Sequence, residues 1–371
     1  MELVNKKYTV TAQVLTPLSI GQGSEKDWVY GVDFLTQLDQ EEQQWLYHLS
    51  MEKMIDAGVD LDNLSKLFAD GRPKEINTLI GNKLMQVSDL QMRLPISNAQ
   101  GLTNPIKTFL RNPLTNRPIL AGSSLKGAIR SVLFTYLRDT ERDNVSVFGR
   151  MTDGSDFMRF IRVGDFEFEK TCLVNTKIYN LHREGRDWQG GWKHGGNNTS
   201  NTFNPIGFNT IYECLPPSAT AEGNVMFADI LFAHIANQPL YGKKKSIMSV
   251  PDIATKLCDI VNDHTFNYLN KEMDFFTEYW QGDGSSNIRE RIEYLQDMID
   301  NCAANECVIK MSAGAGFHSI TGDWQFEGYI EDQRHHMDRK RGGELPKSRK
   351  IAVSSSKAFS PMGFVKLTFN H

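Results

Sequence analysis

The stretch PILAGSSLKGAIRSVLFTYL, residues 118–137, combines the signals of a strand, a turn and a helix. Its first apolar run stops at Gly122, which lets the chain turn without a Cβ clash. Over Leu125–Leu137, apolar residues recur at spacings of three and four, which predicts a helix with one buried face. Ser123 or Ser124 is predicted to be the N-cap, because a serine hydroxyl accepts a hydrogen bond from a helix-end N–H.

Lys126 and Arg130 add a charge pattern that the buried helix face does not require. They lie one turn apart on a shared flank, close to the positive end of the helix dipole, and such an arrangement attracts phosphate. A capped helix with two solvated cations explains the same residues. The local pattern therefore leaves two interpretations open, a surface helix and an anion site.

Composition limits the class of protein. The chain has 371 residues, of which 40% are hydrophobic and 23% charged, as expected for a globular protein with a substantial core. A formal net charge of −4 argues against bulk attraction to nucleic acid or to a membrane, but not against local basic patches. The sequence contains no run long enough to span a bilayer and no signal-peptide core in MELVNKKYTV. The five cysteines form no C-x-x-C pair, so we expect reduced thiols, no metal, no cofactor and a cytoplasmic location.

The periodicity along the chain predicts an α+β fold in two units, residues 1–240 and 241–371. A helical insertion is predicted near residues 40–91, where apolar residues from Trp45 onward follow a helical period. The segment near residues 182–204 is rich in Gly and Asn and is predicted to be an exposed loop or a hairpin tip. Strands are predicted at 8–20, 161–174, 176–181, 207–214, 224–234, 307–312 and 364–369, and further helices at 251–270 and 287–304.

GSSLKGAIR (122–130) resembles the signature of the RAMP superfamily of CRISPR proteins, although Ala121 stands where that family usually has proline. LTPLSIGQG (15–23) resembles the first-strand motif of the family, and MSAGAGFHSITGD (311–323) resembles its glycine-rich loop. Two longer stretches are similar to one subgroup, the fifth subunit of the type III-A (Csm) effector. These are IKTFLRNPLTNRPILAGSSLKGAIRS (106–131) and LPKSRKIAVSSSKAFSPMGFVKL (345–367).

The resemblance implies two ferredoxin-like (RRM-like) domains with helical and loop insertions, and a Gly-rich loop at 313–322 in the second. It also implies a non-catalytic RNA-binding subunit that caps the guide-RNA (crRNA) filament at its 3′ end and supports guide maturation and assembly. The implied partners are the guide, target RNA, the backbone and small Csm subunits, and host nucleases; the loop at 182–204 would dock on RNA or on a neighbouring subunit. The predicted RNA-binding residues are Gly122, Ser123, Ser124, Lys126, Arg130, Lys107, Arg111, Lys310, Gly314, Gly316, Lys347 and Arg349.

An endoribonuclease is the alternative function. In related backbone subunits a loop aspartate after the first strand cuts target RNA, and Asp27 and Asp33 lie in the comparable segment here. A guide-processing enzyme would instead need a base for the 2′-OH, for which His182, His194 and His318 are candidates. A subunit of a Cmr-type complex is a further alternative within the binding class. Asp33 is also consistent with an ordinary strand-end residue, so the binding interpretation is favoured.

Overall fold

The computed structural model describes residues 5–95, 104–138, 144–184, 187–195, 198–200, 202–204, 208–228, 240–248, 252–280, 282, 284–311, 348–355 and 358–370. Within these ranges, every helix falls short of the length or the hydropathy that crossing a membrane requires.

Strands and helices alternate irregularly along the chain. The strands are β1 (Lys6–Val14), β2 (Phe34–Leu38), β3 (Gln44–Leu49), β4 (Ser88–Arg93), β5 (Ile119–Leu120), β6 (Ile161–Val163), β7 (Phe166–Glu167), β8 (Cys172–Glu184), β9 (Asp187–Gly195), β10 (Asn198–Ser200), β11 (Asn209–Cys214), β12 (Thr220–Phe227), β13 (Glu306–Lys310), β14 (Ser348–Ser355), β15 (Ala358–Ser360) and β16 (Phe364–Asn370). The α-helices are α1 (Met51–Asp56), α2 (Leu61–Ala69), α3 (Pro73–Ile80), α4 (Leu84–Val87), α5 (Gly122–Leu137), α6 (Asn144–Phe148), α7 (Tyr241–Met248), α8 (Ile253–Tyr279) and α9 (Ser285–Asp300).

The central sheet is antiparallel, with strand order β13-β16-β1-β12-β6. β1 follows a two-residue period, and its alternate residues Tyr8, Val10, Ala12 and Val14 are buried in the main core. The helices α5 and α8 supply the facing apolar side chains of that core. Four strands (β1, β6, β12 and β16), with α5 and α8 as connections, follow a β-α-β-β-α-β order. A second ferredoxin-like domain stays a prediction.

The second large sheet is built around the long strand β8. Its strand order is β10-β9-β8-β14-β15. β11 lies on the same side of β8 as β9 and pairs with the first half of β8, whereas β9 pairs with the second half. Both large sheets therefore combine strands from the two sides of residue 240: β1 pairs with β16, and β8 pairs with β14. The predicted boundary does not coincide with a break between sheets.

The insertion predicted as helical near residues 40–91 is helical only in part. Its beginning is a hairpin, β2 and β3, and β4 completes a three-stranded sheet after α1–α4. Asp39 fixes the hairpin turn, because its carboxylate accepts hydrogen bonds from the backbone N–H groups of Glu41 and Gln43 and from the Trp45 indole N–H. The helix prediction at Trp45 was therefore wrong: a six-residue apolar strand fits both periods, and the turn decides between them.

Over the described part of residues 182–204 the prediction of an exposed loop is wrong, because the segment is β-structure in β8, β9 and β10. The alternative of a hairpin fits better, since β8 and β9 pair as an antiparallel hairpin up to Glu184 and Asp187. Trp192 is only 1% exposed, and its ring lies 5.4 Å from Tyr179 and 5.1 Å from Trp280. Glycines allow this packing: a Cβ on Gly190 would come within 2.4 Å of the Tyr179 hydroxyl oxygen. Gly190 therefore makes room for the Tyr179 ring, against which the Trp192 indole packs, instead of marking a solvated loop.

A helix side chain covers the outer edge of the central sheet. Asn262 of α8 accepts a hydrogen bond from the Val308 N–H (2.9 Å) and donates one to the Glu306 carbonyl (3.0 Å). The Asn262 amide thus makes the hydrogen bonds to β13 that a neighbouring strand would make. A strand edge that is covered in this way does not pair with strands of other molecules.

We predict that Asn262→Ala lowers the free energy of unfolding by about 1–2 kcal/mol, because two buried backbone groups lose their partner. Urea unfolding measures this, and light scattering of the variant should show increased self-association. Asn267→Ala is the matched control, since Asn267 is an exposed asparagine on the same helix. Equal stability of the two variants would contradict the edge-capping role.

Candidate nucleic-acid interface

Helix α5 begins one residue before the predicted serine cap. Ala121 is the N-cap, and no side chain of that residue closes the helix; instead Asp165 accepts a hydrogen bond from the Gly122 N–H at 2.7 Å. Ser123 and Ser124 lie within the first turn, so the prediction that one of them caps the helix was wrong. A carboxylate that complements the helix dipole from another segment leaves no local signal in residues 118–124.

Gly122 is required by close packing. A Cβ at this position would lie 2.2 Å from the Val163 carbonyl oxygen and 2.7 Å from that of Gly164. The first turn of α5 is therefore pressed against the end of β6, which fixes where the helix starts. Ser123 is exposed and Ser124 is half-buried at this end.

Basic side chains from three elements lie near Lys126 and the buried Asp156 at the start of α5. Lys126 and Arg130 come from α5, Arg162 from β6 and Lys244 from α7. Asp156 and Arg162 both act electrostatically on Lys126, and Asp156 acts on Lys244. We call these five residues the Asp156 cluster. Lys244 is fully buried, so Lys126, Arg130 and Arg162 are the positive groups of the cluster that an anion could reach.

Specific contacts hold Asp156 and Arg130 in place. Asp156 is 8% exposed and accepts a hydrogen bond from the Met158 N–H at 2.9 Å. The Arg130 guanidinium lies over the Phe148 ring, 4.6 Å from its centre. Burial lowers the pKa of Lys126, an effect that the Asp156 carboxylate opposes, and burial lowers the pKa of Lys244 to about 8.

Two of the predicted RNA-binding cations form ion pairs within the protein. Lys107 pairs with Asp27, whose side chain is 8% exposed, and Arg111 pairs with the fully buried Glu213. Arg111 is 18% exposed and also donates to the Asn116 carbonyl at 2.9 Å. Both cations thus tie the segment before α5 to its surroundings.

Lys310 and Arg349 are buried. The Lys310 ammonium donates to the Met362 carbonyl at 2.9 Å and lies 4.6 Å from the centre of the Phe364 ring. Burial lowers the pKa of Lys310 to about 8. Arg349 Nε lies 2.8 Å from both carboxylate oxygens of Glu272.

Three further predicted residues, Gly314, Gly316 and Lys347, lie outside the described residues, as do His318 and the Gly-rich loop at 313–322. Among the twelve predicted residues, the structure therefore brings together Gly122, Ser123, Ser124, Lys126 and Arg130 at the start of α5. The described basic residues elsewhere in that set are held by acidic or carbonyl groups of the protein.

Asp33 and His194, two of the residues named for catalysis, have structural contacts. The Asp33 carboxylate accepts a hydrogen bond from the Val29 N–H at 2.7 Å, and its carbonyl accepts one from Leu49, so it closes the turn before β2. His194 donates to the Thr202 carbonyl at 3.2 Å. His182 Nδ1 is buried without a hydrogen-bond partner among the described residues.

Sequence reasoning missed Asp156 and Arg162, whereas the lysine run 243–245, which includes Lys244, is a pattern that predicts either an RNA contact or a solvated linker. Asp156 precedes an aromatic run, Phe157–Phe160, and Lys244 sits in a run of three lysines, so each carries a weak local signal. Only the fold places them beside Lys126.

Gly122→Ala should destabilise the protein by about 2–3 kcal/mol, because the added Cβ meets backbone that cannot move aside easily. Gly127→Ala, in the same helix, meets nothing within 4 Å and should be neutral or stabilising by up to about 1 kcal/mol. Urea unfolding of both variants measures the difference, and equal values would show that α5 does not press on β6.

Glu213→Gln should lower the free energy of unfolding by about 3–5 kcal/mol, because it leaves Arg111 half-buried without its counter-charge. Glu75→Gln is the control, since the Arg72–Glu75 pair is exposed and a change there should cost about 1 kcal/mol or less. Thermal and urea unfolding check both; similar losses would contradict the importance of the buried pair.

The depressed pKa of Lys310 predicts a pH effect. Below pH 8 both folded and unfolded states carry the proton, whereas between about 8 and 10.5 only the unfolded state keeps it, so stability rises with pH in that window. The wild-type free energy of unfolding should rise relative to that of Lys310→Met, by at most about 1.4 kcal/mol per pH unit. Urea titrations from pH 7 to 10 measure this, and parallel curves would refute it.

Comparisons with known proteins place this geometry in a family. No curated protein matches the sequence significantly. Over 98% of its length the chain is similar to all of one chain in the cryo-EM structure of a Csm–crRNA–target RNA ternary complex of a type III-A CRISPR-Cas system, with a TM-score of 0.64 and 18% identity. The crystal structure of Csm5 from T. onnurineus matches with a TM-score of 0.56 and 16% identity, over 96% of this chain and 99% of that one.

These likenesses are at the level of the fold. The family model of the RAMP superfamily matches residues 11–293, which is most of the chain and includes α5 and the Asp156 cluster. On that match, the chain belongs to the RAMP superfamily.

Proposed function

We propose that this protein is a non-catalytic RNA-binding subunit of a cytoplasmic type III-A (Csm) CRISPR effector complex. In this role it caps the guide-RNA filament at its 3′ end, supports guide maturation, and contacts target RNA, the Csm backbone and small subunits, and host nucleases. The observation that carries the proposal is the likeness over nearly the full length of both chains to a subunit of a Csm–crRNA–target RNA complex and to a Csm5.

The Asp156 cluster supports the RNA-binding part of the proposal. Lys126 and Arg130 of α5 and the exposed Arg162 of β6 offer cationic groups at one place, whereas Lys244 is fully buried, and phosphate is a group that such cations bind. Cations that contact phosphate hold a strand without reading its sequence. This suits a subunit that accepts guides of any sequence.

The contacts of Asp33 support the non-catalytic part. Its carboxylate already accepts a backbone hydrogen bond that closes a turn, which accounts for an aspartate at this position without chemistry. The same contact makes Asp33→Asn a mild substitution, since the amide oxygen still accepts from the Val29 N–H. Its effect on RNA cleavage can therefore be measured without loss of the fold.

The double variant Lys126→Ala/Arg130→Ala should weaken retention of the guide in the reconstituted complex. The dependence of log K on log salt should become shallower by about 0.7 for each lost phosphate contact. Guide occupancy and length after gel filtration at increasing salt provide the measurement. Lys66→Ala/Lys74→Ala, which removes two exposed cations from the insertion helices α2 and α3, is the matched control.

Unchanged guide occupancy and length in the Lys126→Ala/Arg130→Ala complex would reject the assignment of this interface. The enzyme alternative is tested with the wild-type chain, alone and in complex, on labelled guide precursor and target. Cleavage that disappears in Asp33→Asn or in a histidine variant would overturn the non-catalytic proposal, and no co-purification with Csm backbone subunits would reject the assigned complex.

A further inference from the structure

One face of the second large sheet carries an exposed aromatic ring next to cations. Phe208, which immediately precedes β11, is 41% exposed, and its backbone has a φ of 43°. A bulky residue in that conformation is uncommon and strained. The Lys193 ammonium of β9 lies 4.7 Å from the centre of the Phe208 ring.

Strand register shows which other side chains share this face. Lys350 pairs with Ile178 and Trp192 pairs with Tyr179, so Lys350 and Lys193, the residue after Trp192, lie on the same face of the sheet on opposite sides of β8. Two inter-strand spacings separate their backbones, which is about 10 Å. The Lys350 ammonium donates to the Tyr212 hydroxyl, and since an ammonium has three N–H donors, it retains further donors.

Polar groups that suit a base edge lie farther along the same face. Asn180 pairs with Ser348 on one side and with Gly191 on the other, and the Ser348 hydroxyl donates to the Asn180 side chain at 2.7 Å. His182, two residues along β8, keeps its buried Nδ1 without a hydrogen-bond partner among the described residues. Within the described side chains of this face, Lys193 and Lys350 are the charged groups at neutral pH, and both are positive.

We propose that this sheet face is a second nucleic-acid contact, in which a base of single-stranded RNA stacks on Phe208 and its flanking phosphates bind Lys193 and Lys350. An exposed ring stacks on any base, and lysines bind phosphate, so the contact is tolerant of sequence. The inference rests on the proposed RNA-binding function and adds a surface separate from the Asp156 cluster.

The test uses the full chain and fluorescently labelled single-stranded RNA of mixed sequence, with binding followed by anisotropy over a range of salt. Phe208→Ala should weaken binding about tenfold without changing the salt dependence, because stacking releases no counterions. Phe208→Trp should bind within about twofold of the wild type. Lys350→Gln should make the salt dependence shallower by about 0.7.

Tyr294→Ala is the matched control, since Tyr294 is an aromatic residue of similar exposure on α9, away from this sheet face. If the wild type binds RNA but Phe208→Ala and Tyr294→Ala behave alike, the sheet-face inference fails while the proposed function stands. If the wild type binds no RNA alone or in the complex, the proposed function itself fails.

Photocrosslinking of the wild-type chain in the complex gives a readout that does not depend on how the variants fold. Crosslinks from the RNA to peptides that contain Phe208 or Lys193 are expected. Crosslinks confined to peptides of α5 would overturn the inference, as would protection of this face by a protein subunit.

Discussion

The buried carboxylate of Glu213 fixes the position of everything that precedes helix α5. It is fully buried, and it accepts hydrogen bonds from the Phe109 N–H, from Arg111 and from the Thr171 hydroxyl. A buried charge is stable only when it is fully paired, so this network admits one arrangement of the segment from residue 104 to β5. That segment leads directly into the first turn of α5. Its position therefore also sets the position of Lys126 and Arg130, the two members of the Asp156 cluster on this helix.

Ion pairs within the protein also explain why RNA-binding residues were harder to predict than strands. Alternation in β1 and β16 and the three-and-four spacing in α5 are properties of neighbouring residues, and the structure confirms those elements. Whether a basic residue faces solvent depends on a partner far away in sequence. Arg349 meets Glu272, and Arg111 meets Glu213 about a hundred residues away, which no local pattern reveals.

Contacts between residues that are not sequence neighbours also explain why two secondary-structure predictions were wrong, the helix at Trp45 and the loop around Trp192. Trp45 lies in a short strand whose apolar spacing also fits a helix, and only the Asp39 turn distinguishes the two. Trp192 lies among glycines, a composition that favours a loop, yet Gly190 makes room for the Tyr179 ring, and the indole packs between Tyr179 and Trp280. Amino-acid composition predicts only the average exposure of a segment. One large buried side chain, such as that of Trp192, can make the segment part of a packed sheet.

The pairing of β1 has a consequence for synthesis on the ribosome. β1 pairs with β12 on one edge, but its other edge pairs with β16, so that Thr9 lies opposite Asn370. At ordinary translation rates, the interval between these two residues is on the order of half a minute. In the later part of that interval, after β12 has been made and before β16 follows, a nascent chain that has paired β1 with β12 presents an open strand edge with buried-type side chains on one face. Aggregation during translation is therefore a greater hazard for this fold than its stable finished sheet suggests, and the arrival of the last strand ends it.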